Sequence, residues 1–201
     1  MTESEYLRGV LFVMVGPSGA GKNTVISRVI AALRHLGRLP TATTREPREG
    51  EHEGVDHFFV SLGVFNEMIA SDKLIEHEEV HPGKWYGVIR KVTHDKLREG
   101  AFLLADIDIK GATALRREFP NNVVSIFIAP PTLEVLRERL KERGETSEEI
   151  EKRLKRAAYE ISRKGECDYV VINDDLEACV REVADIISFE LARRATPEHG
   201  S

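Results

Sequence analysis

The sequence has no long hydrophobic run and no excess of basic residues. No apolar segment approaches the ~20 residues needed to span a bilayer, and the N-terminal segment MTESEYLRG carries acids where a secretory signal has an apolar core. The 29 lysines and arginines are outnumbered by 34 aspartates and glutamates, which argues against sequence-independent binding of nucleic acid. We therefore expect a cytoplasmic protein that has neither a membrane nor a nucleic acid as a partner.

Cysteine is also scarce. The two cysteines, Cys167 and Cys179, have no histidine cluster nearby, so the spacing indicates neither a zinc site nor a disulfide framework. We expect two reduced thiols. At 201 residues the chain has the length of one globular domain with a full-sized core and a small insertion.

What is present is an alternation of apolar runs and amphipathic segments. A strand buried on both faces reads as a continuous apolar run, and each such run here is followed by a helical pattern. This order predicts an α/β fold with a central parallel sheet and right-handed crossovers. The predicted strands are 10–15, 101–107, 123–128 and 169–172, and the predicted helices are one ending near Gly37, 109–117, 133–142 and 176–192.

Residues 40–90 interrupt this rhythm. They are polar, with short strand-like pieces at 58–60 and 74–75 and one amphipathic helix after Ser61, and we interpret them as an insertion over the carboxyl edge of the sheet. Further on, Thr146 and Glu149 form a capping box before a highly charged helix that ends near residue 162. The tail from residue 193 is expected to be disordered.

The segment GPSGAGKN follows a predicted buried strand and opens a predicted helix. Glycines allow backbone N–H groups to curl around phosphate oxygens, and a helix N-terminus adds the positive end of its dipole. Lys22 is placed to reach the β- and γ-phosphates of a nucleotide. The sequence therefore predicts an ATP-binding loop made of Gly16, Pro17, Ser18, Gly19, Ala20, Gly21, Lys22, Asn23 and Thr24.

One position of this loop departs from the usual pattern. The residue after the lysine is normally Ser or Thr, whose hydroxyl ligates Mg²⁺, and here it is Asn23. An amide oxygen also ligates a hard cation, so Asn23 is the predicted ligand. Thr24, after a small change of register, is the alternative.

From this loop onward the sequence resembles the guanylate kinases over residues 9–190. The motifs TATTREPREGE, GVDHFFVS, IEHEEV, WYGV, DIDIKGA, IFIAPP and VINDDLE occur in the order and spacing of that family. The resemblance implies Mg²⁺-dependent transfer of a phosphoryl group from ATP to GMP, in purine nucleotide metabolism. It implies a three-layer P-loop NTPase fold in a single domain over 1–201, with a core (9–39, 91–135, 163–192), an α+β GMP-binding insertion (40–90) and a helical lid (136–162).

The resemblance also implies which residues bind GMP. Arg45 and Arg48 match the pair that grips its phosphate, a use that suits the planar guanidinium fork. Glu76 matches the carboxylate that accepts from guanine N1–H and N2–H₂, and adenine lacks donors on that edge. Thr41, Tyr86 and Asp108 match further GMP-binding positions, and His57 occupies another.

The family's lid arginines match Arg143 and Arg153, which the resemblance places over ATP to stabilise charge on the transferring group. Together with Lys22 and Arg45 they are the predicted catalytic residues. Asp106 ends a predicted strand where an acid helps to hold Mg²⁺ through water, and Asn173 matches a position near the adenine. We expect Arg137 and Arg139 to lie on a merely solvated charged face.

His57 and Val88 also depart from the family pattern, which has a phosphate-contacting Tyr and a guanine-reading Ser or Thr at these positions. They leave a ribose 1,5-bisphosphate phosphokinase of the same fold as the main alternative. A non-catalytic guanylate-kinase-like binding module is a second alternative, against which the loop lysine and lid arginines argue. The sequence leaves open whether the protein is a monomer or a homodimer.

Overall fold

The computed structural model describes residues 7–195, apart from the side chain of His81. Strands and helices alternate along the chain. In chain order the elements are β1 (Val10–Val15), α1 (Lys22–Ala32), β2 (Leu36–Arg38), β3 (Thr41–Thr43), β4 (His57–Phe59), α2 (Leu62–Ala70), β5 (Leu74–His81), β6 (Lys84–Ile89), α3 (Arg90–Arg98), β7 (Phe102–Asp106), α4 (Ile109–Glu118), β8 (Val123–Ala129), α5 (Leu133–Glu142), α6 (Ser147–Ser162), a 3₁₀ turn (Lys164–Glu166), β9 (Tyr169–Ile172) and α7 (Leu176–Ala195).

The strands form two sheets. One has five strands in the order β2-β7-β1-β8-β9, and its β2–β7 and β8–β9 pairs are parallel. The other has the order β4-β3-β6-β5, in which β6 runs antiparallel to both β3 and β5. The predicted α/β fold with a central parallel sheet is confirmed.

The central strands are covered on both faces. Every residue of β1 and of β8 is buried, which explains why these two segments read as continuous apolar runs. β9 follows the predicted boundaries, and β7 begins and ends one residue inside them.

Helix starts are fixed by side-chain caps. Thr146 and Glu149 form the predicted capping box at the start of α6. Thr132 accepts from the Val135 N–H at the start of α5, and Asp108 accepts from the Gly111 N–H at the start of α4. Each cap satisfies an N–H group that the first helical turn leaves without a partner.

The predicted end of α1 near Gly37 is wrong. The helix ends at Ala32, and Gly37 lies in β2 opposite Leu103 of β7. A glycine after an amphipathic run is typical of a helix end. Here it belongs to a three-residue strand whose pairing depends on a segment far along the chain.

The four-stranded sheet is more extensive than the sequence indicated. β5 runs from Leu74 to His81, whereas only 74–75 was predicted, and β6 and α3 were not predicted at all. The acidic residues in the middle of β5 have low strand propensity. The strand forms because β6 pairs with it along its length, which local sequence does not reveal.

The chain packs as two compact units. Among the described residues, one unit comprises 7–11 and 36–123, and the other comprises 12–35 and 124–195. The first contains a cluster of Ala42, Phe65 and Leu74, against which Val60, Met68, Ile69, Trp85 and Ile89 pack. The second contains a cluster of Leu136, Leu140, Ile150, Leu154 and Ala157. The single domain and the limits of its insertion and lid stay predictions.

The C-terminal helix reaches further than expected. α7 continues to Ala195, so a disordered tail starting at residue 193 is wrong for 193–195, and residues 196–201 lie outside the described part of the chain. Within 7–195, no helix combines the length and apolar character needed to cross a membrane.

Candidate functional site

The loop between β1 and α1 requires glycine at specific positions. Gly16 and Gly21 have φ values of 139° and 91°, in the left-handed region that disfavours side chains. A Cβ at Gly16 would lie 2.3 Å from the Ile128 carbonyl oxygen, and one at Gly21 would lie 2.3 Å from Asn173 Nδ2. The glycine pattern in the sequence therefore reflects both backbone conformation and close packing.

Lys22 is the first residue of α1, and its side chain turns back over the loop. Its Nζ atom donates to the carbonyl oxygens of Gly16 at 2.6 Å and Pro17 at 3.3 Å. The N–H groups of the first helical turn add partial positive charge beside it. The lysine and the helix start together form the kind of place where phosphate oxygens bind.

Asn173 supports the loop between β1 and α1 through a hydrogen bond. It is 5% exposed, and its Nδ2 donates to the Ala20 carbonyl oxygen at 2.7 Å. Arg139 in turn donates to the Asn173 carbonyl oxygen at 2.9 Å, so the expectation that Arg139 is merely solvated is wrong. Arg137, by contrast, is exposed and pairs with Glu151 on the neighbouring helix.

The two predicted lid arginines have different surroundings. Arg153 on α6 donates from Nη1 to the Ser18 hydroxyl of the loop at 2.6 Å. Arg143 follows α5 as its C-cap, is exposed, and makes no side-chain hydrogen bond or ion pair with the described residues. The structure brings Arg153 to the loop and leaves Arg143 in solvent.

A second group of predicted residues lies in the other unit, around Arg45. Its two terminal nitrogens donate to the two carboxylate oxygens of Glu51, each at 2.6 Å, and its Nε donates to the Tyr86 hydroxyl at 2.9 Å. The guanidinium also lies over the rings of Phe59 and Tyr86. Arg45 is therefore fixed, with a side chain only 7% exposed.

Glu51 is a site residue that sequence reasoning missed. It closes the motif TATTREPREGE and also accepts from the Arg48 N–H at 2.8 Å. Hydrogen bonding from Arg45 lowers the pKa of Glu51 to about 2, so the carboxylate is ionised. The Arg48 side chain is exposed and makes no hydrogen bond or ion pair with the described residues, so its guanidinium is the available member of the predicted pair.

His57 and Thr41 meet across the β3–β4 pair. They are opposite one another in register, and His57 Nδ1 lies 2.9 Å from Thr41 Oγ1. The imidazole packs edge-on against Phe59 and Tyr86. Burial and the neighbouring Arg45 lower the pKa of His57, which favours the neutral imidazole.

Glu76 and Asp108 line one cleft of about 490 Å³, together with Ile69, His77, Glu78 and Lys110. The Asp108 carboxylate also caps α4 through the Gly111 N–H at 2.7 Å. A Cβ at Gly111 would lie 3.0 Å from Glu76 Oε2, so glycine there leaves room for the carboxyl group. Val88, which is fully buried, lies opposite Glu76 in the β5–β6 pair.

The cleft changes the acidity of Glu76. Burial, with smaller contributions from the Asp108 and Glu78 carboxylates, raises the pKa of Glu76 to about 8. The unliganded protein therefore holds Glu76 largely as the neutral acid at pH 7. A neutral carboxyl is far cheaper to bury than a carboxylate that has no cationic partner.

This raised pKa predicts a pH-dependent stability. Because the folded pKa of Glu76 lies above its unfolded value of 4.5, its stabilising contribution is complete below pH 4.5 and is lost as the pH rises through about 8. Glu76→Gln removes the titration. We expect the variant's free energy of unfolding, relative to the natural protein, to increase by about 2–4 kcal/mol between pH 5 and pH 8.

Urea unfolding of both proteins at pH 5, 6.5 and 8 measures this difference. Glu79→Gln, which changes an exposed acid on the same strand, is the control and should show no comparable trend. A stability difference between the Glu76 variant and the natural protein that is constant with pH would contradict the raised pKa.

The predicted metal ligands are oxygen donors at the ends of two elements. Asn23 and Thr24 lie exposed in the first turn of α1, and Asp106 is the exposed last residue of β7. Amide and carboxylate oxygens suit Mg²⁺. Within residues 7–195 no group of three His, Cys, Asp or Glu side chains is placed to hold a metal by itself.

A buried strand, a glycine loop, a helix that opens with lysine and a central parallel sheet define a P-loop NTPase fold. Within that class, residues 8–190 match the family model described as guanylate kinase. The chain belongs to the guanylate kinase family.

Individual relatives agree. A guanylate kinase from Zymomonas mobilis is 41% identical over 188 residues, covering 93% of this chain and 87% of the relative. One from Salinibacter ruber is 42% identical over 173 residues, covering 86% of this chain and 92% of the relative. Among solved structures, guanylate kinase from Anaplasma phagocytophilum superposes with a TM-score of 0.71 at 37% identity, covering 91% of this chain and 86% of that one. A gluconokinase from Sinorhizobium meliloti, at 15% identity and a TM-score of 0.53, shares the fold.

Proposed function

We propose that the protein transfers the γ-phosphoryl group of ATP to the phosphate of GMP, giving ADP and GDP. The observation that carries the choice of acceptor is Glu76, a partly buried acid in a cleft that also contains Asp108. Guanine offers N1–H and N2–H₂ as neighbouring donors, which pair with Glu76 as a carboxylate, so binding of GMP releases the proton that the unliganded acid holds. Adenine has an unprotonated N1 and a C–H at position 2 in place of these donors, so AMP would leave the Glu76 carboxylate without them.

The phosphate of GMP is assigned to the cluster around Arg45. Glu51 accepts from one N–H of each terminal nitrogen of Arg45, and Tyr86 accepts from its Nε–H. Arg45 is therefore held in place, and Arg48 provides the guanidinium that moves onto the phosphate. Thr41 and His57 are also assigned to this phosphate, and the neutral imidazole donates one N–H to it. A bidentate guanidinium–phosphate pair is among the strongest polar contacts available.

ATP is assigned to the loop of the other unit. The N–H groups of the loop and Lys22 bind the β- and γ-phosphates, and Arg153, supported by Arg143 on closure of the lid, neutralises charge on the transferring group. Asn173 supports the loop through Ala20 and in this way acts on ATP binding. When Mg²⁺ binds with ATP it neutralises phosphate charge, and Asn23, or alternatively Thr24, and Asp106 would hold it.

The chemistry needs no strong general base. A phosphate oxygen of GMP is already anionic; it attacks the γ-phosphorus of ATP, the bond to the bridging oxygen breaks, and ADP leaves. Catalysis is then positioning and charge neutralisation, with water excluded by the lid. We further propose a cytoplasmic enzyme of purine nucleotide metabolism, acting as a monomer or homodimer on small molecules alone.

An ADP-release assay with GMP, AMP, UMP and ribose 1,5-bisphosphate as acceptors, with and without Mg²⁺, tests this function. We expect Mg²⁺-dependent turnover with GMP and a kcat/KM at least about 10³-fold lower with the other three. Preference for ribose 1,5-bisphosphate would overturn GMP as the acceptor but leave ATP as the phosphoryl donor. No turnover with any acceptor would favour a binding module.

The glycine loop gives a separate prediction. Gly21→Ala places a Cβ against Asn173 Nδ2 at a positive φ, so either the loop shifts or the Asn173 amide leaves the Ala20 carbonyl oxygen that it holds. We expect ATP affinity, measured by calorimetry without acceptor, to fall about 100-fold, since several N–H contacts lose alignment together. Gly83→Ala, at φ 75° with no atom within 4 Å of the added Cβ, imposes the same backbone strain elsewhere and should leave ATP affinity unchanged. Equal losses in the two variants would contradict the role of the close approach.

A further inference from the structure

The turn between α5 and α6 is fixed at both ends. Gly144 follows the C-cap of α5 with φ 78°, and its N–H donates to the Lys141 carbonyl oxygen. On the other side Thr146 and Glu149 close the capping box of α6. Glu145 lies between these two anchors, so its backbone position is well determined.

The Glu145 side chain points back at α6. Its Oε2 atom is buried and lies 2.7 Å from Arg153 Nε, in an ion pair rather than in an aligned hydrogen bond. The Glu145 side chain is 17% exposed and that of Arg153 is 31% exposed. A carboxylate oxygen removed from water in this way needs a cationic neighbour, and among the described residues Arg153 provides it.

Arg153 uses its other side on the phosphate loop, where Nη1 donates to Ser18 Oγ. A guanidinium is planar, so fixing Nε also sets the direction of the terminal nitrogens. Glu149, one turn before Arg153 on α6, is engaged with Thr146 and does not take over this contact. Arg153 is thus held at one edge by Glu145 and presents the other edge to the loop.

We propose that Glu145 is a positioning residue for the phosphoryl-transfer step: it holds Arg153 in the orientation that faces the transferring phosphate. The inference rests on the role proposed above for Arg153. The ion pair preorganises a side chain that would otherwise lose rotamer entropy in each catalytic cycle.

The proposal predicts that Glu145→Gln lowers turnover, whereas removal of a negative charge alone would raise it. Glu145 carries negative charge near a site for triphosphate, so simple repulsion predicts that Glu145→Gln raises turnover or lowers the KM for ATP. Positioning predicts that kcat falls about tenfold, because the coupling energies of contacting side chains reach this size, while the KM for GMP stays unchanged. Glu148→Gln is the matched control: it removes the same charge from the start of α6, where Glu148 pairs only with the exposed Lys152 among described residues, and should leave kcat unchanged.

The decisive measurement is a double-mutant cycle in the full chain, with kcat and both KM values determined for Glu145→Gln, Arg153→Met and the double variant. We expect Glu145→Gln to have no further effect once Arg153 is replaced. The thermal midpoint of each variant, measured in parallel, separates lost positioning from lost folding, and the double variant contains no buried unpaired charge.

Each outcome is informative about a different claim. If Arg153→Met lowers kcat and Glu145→Gln does not, the inference fails and the proposed function stands. An equal effect of Glu145→Gln with and without Arg153 would show that Glu145 acts independently, which also overturns the inference. Full activity of Arg153→Met would instead remove Arg153 from the proposed function.

Discussion

Replacing Lys22 with alanine is expected to lower kcat by about 10³-fold or more while the protein remains folded. The ammonium group is the one side-chain cation that the described loop itself carries, and it already lies over the backbone carbonyls of Gly16 and Pro17. In phosphoryl transfer the protein contributes mainly position and opposing charge, so losing this cation removes stabilisation that appears as charge shifts to the bridging oxygen.

The matched control for Lys22→Ala is Lys91→Ala. Lys91 also lies in the first turn of a helix, α3, where it is 84% exposed and pairs with Asp95. We expect its kcat to equal that of the natural protein. Circular dichroism and the thermal midpoint show whether the Lys22 variant is folded. A folded Lys22 variant that keeps more than about a tenth of the activity would contradict the assignment of this loop to ATP.

Replacing Glu76 with glutamine is expected to lower kcat/KM for GMP by about 100-fold and to reduce the preference for GMP over AMP by a similar or larger factor. Glutamine keeps the shape, but its amide presents one acceptor and one donor where guanine requires two acceptors. The donor then faces a guanine N–H group and leaves both without a partner in a buried cleft.

The discrimination experiment measures kcat/KM for GMP and AMP at saturating ATP, since the loop that binds ATP is untouched. Glu79→Gln on the same strand is again the control and should keep the preference. Unchanged preference in the Glu76 variant would remove this residue from the guanine site. Urea unfolding of the Glu76 variant at the pH of the assay shows whether a loss of GMP turnover can be attributed to unfolding.

Several elements were predictable because short-range chemistry specifies them. β1 is apolar at every position and is followed by a glycine loop, and the start of α6 is marked by Thr146 and Glu149. The spacing of the loop residues is by itself enough to indicate a phosphate site. In contrast, β5 is polar in its middle and becomes a strand only beside β6.

Site partners were harder to predict than site residues. The sequence singled out Arg45, yet the carboxylate of Glu51 that fills its fork is one acid among many in a charged segment. It also assigned Arg139 to solvent, since a charged helix face gives no sign that one arginine reaches the Asn173 carbonyl oxygen. These partners depend on distances between elements, which local patterns do not encode.

The lack of long apolar runs and of a basic excess and the scarcity of cysteine, together with the loop lysine and the family motifs, were sufficient to identify a P-loop phosphotransferase from sequence. Tertiary structure decided which of the predicted groups are available and in what protonation state. It places Glu76 in a partly buried position beside two other carboxyl groups, which raises its pKa, and it engages Arg45 with Glu51 while leaving Arg48 exposed. Motifs specify which groups are present, whereas acidity and pairing follow from burial and from neighbours that only the folded chain brings together.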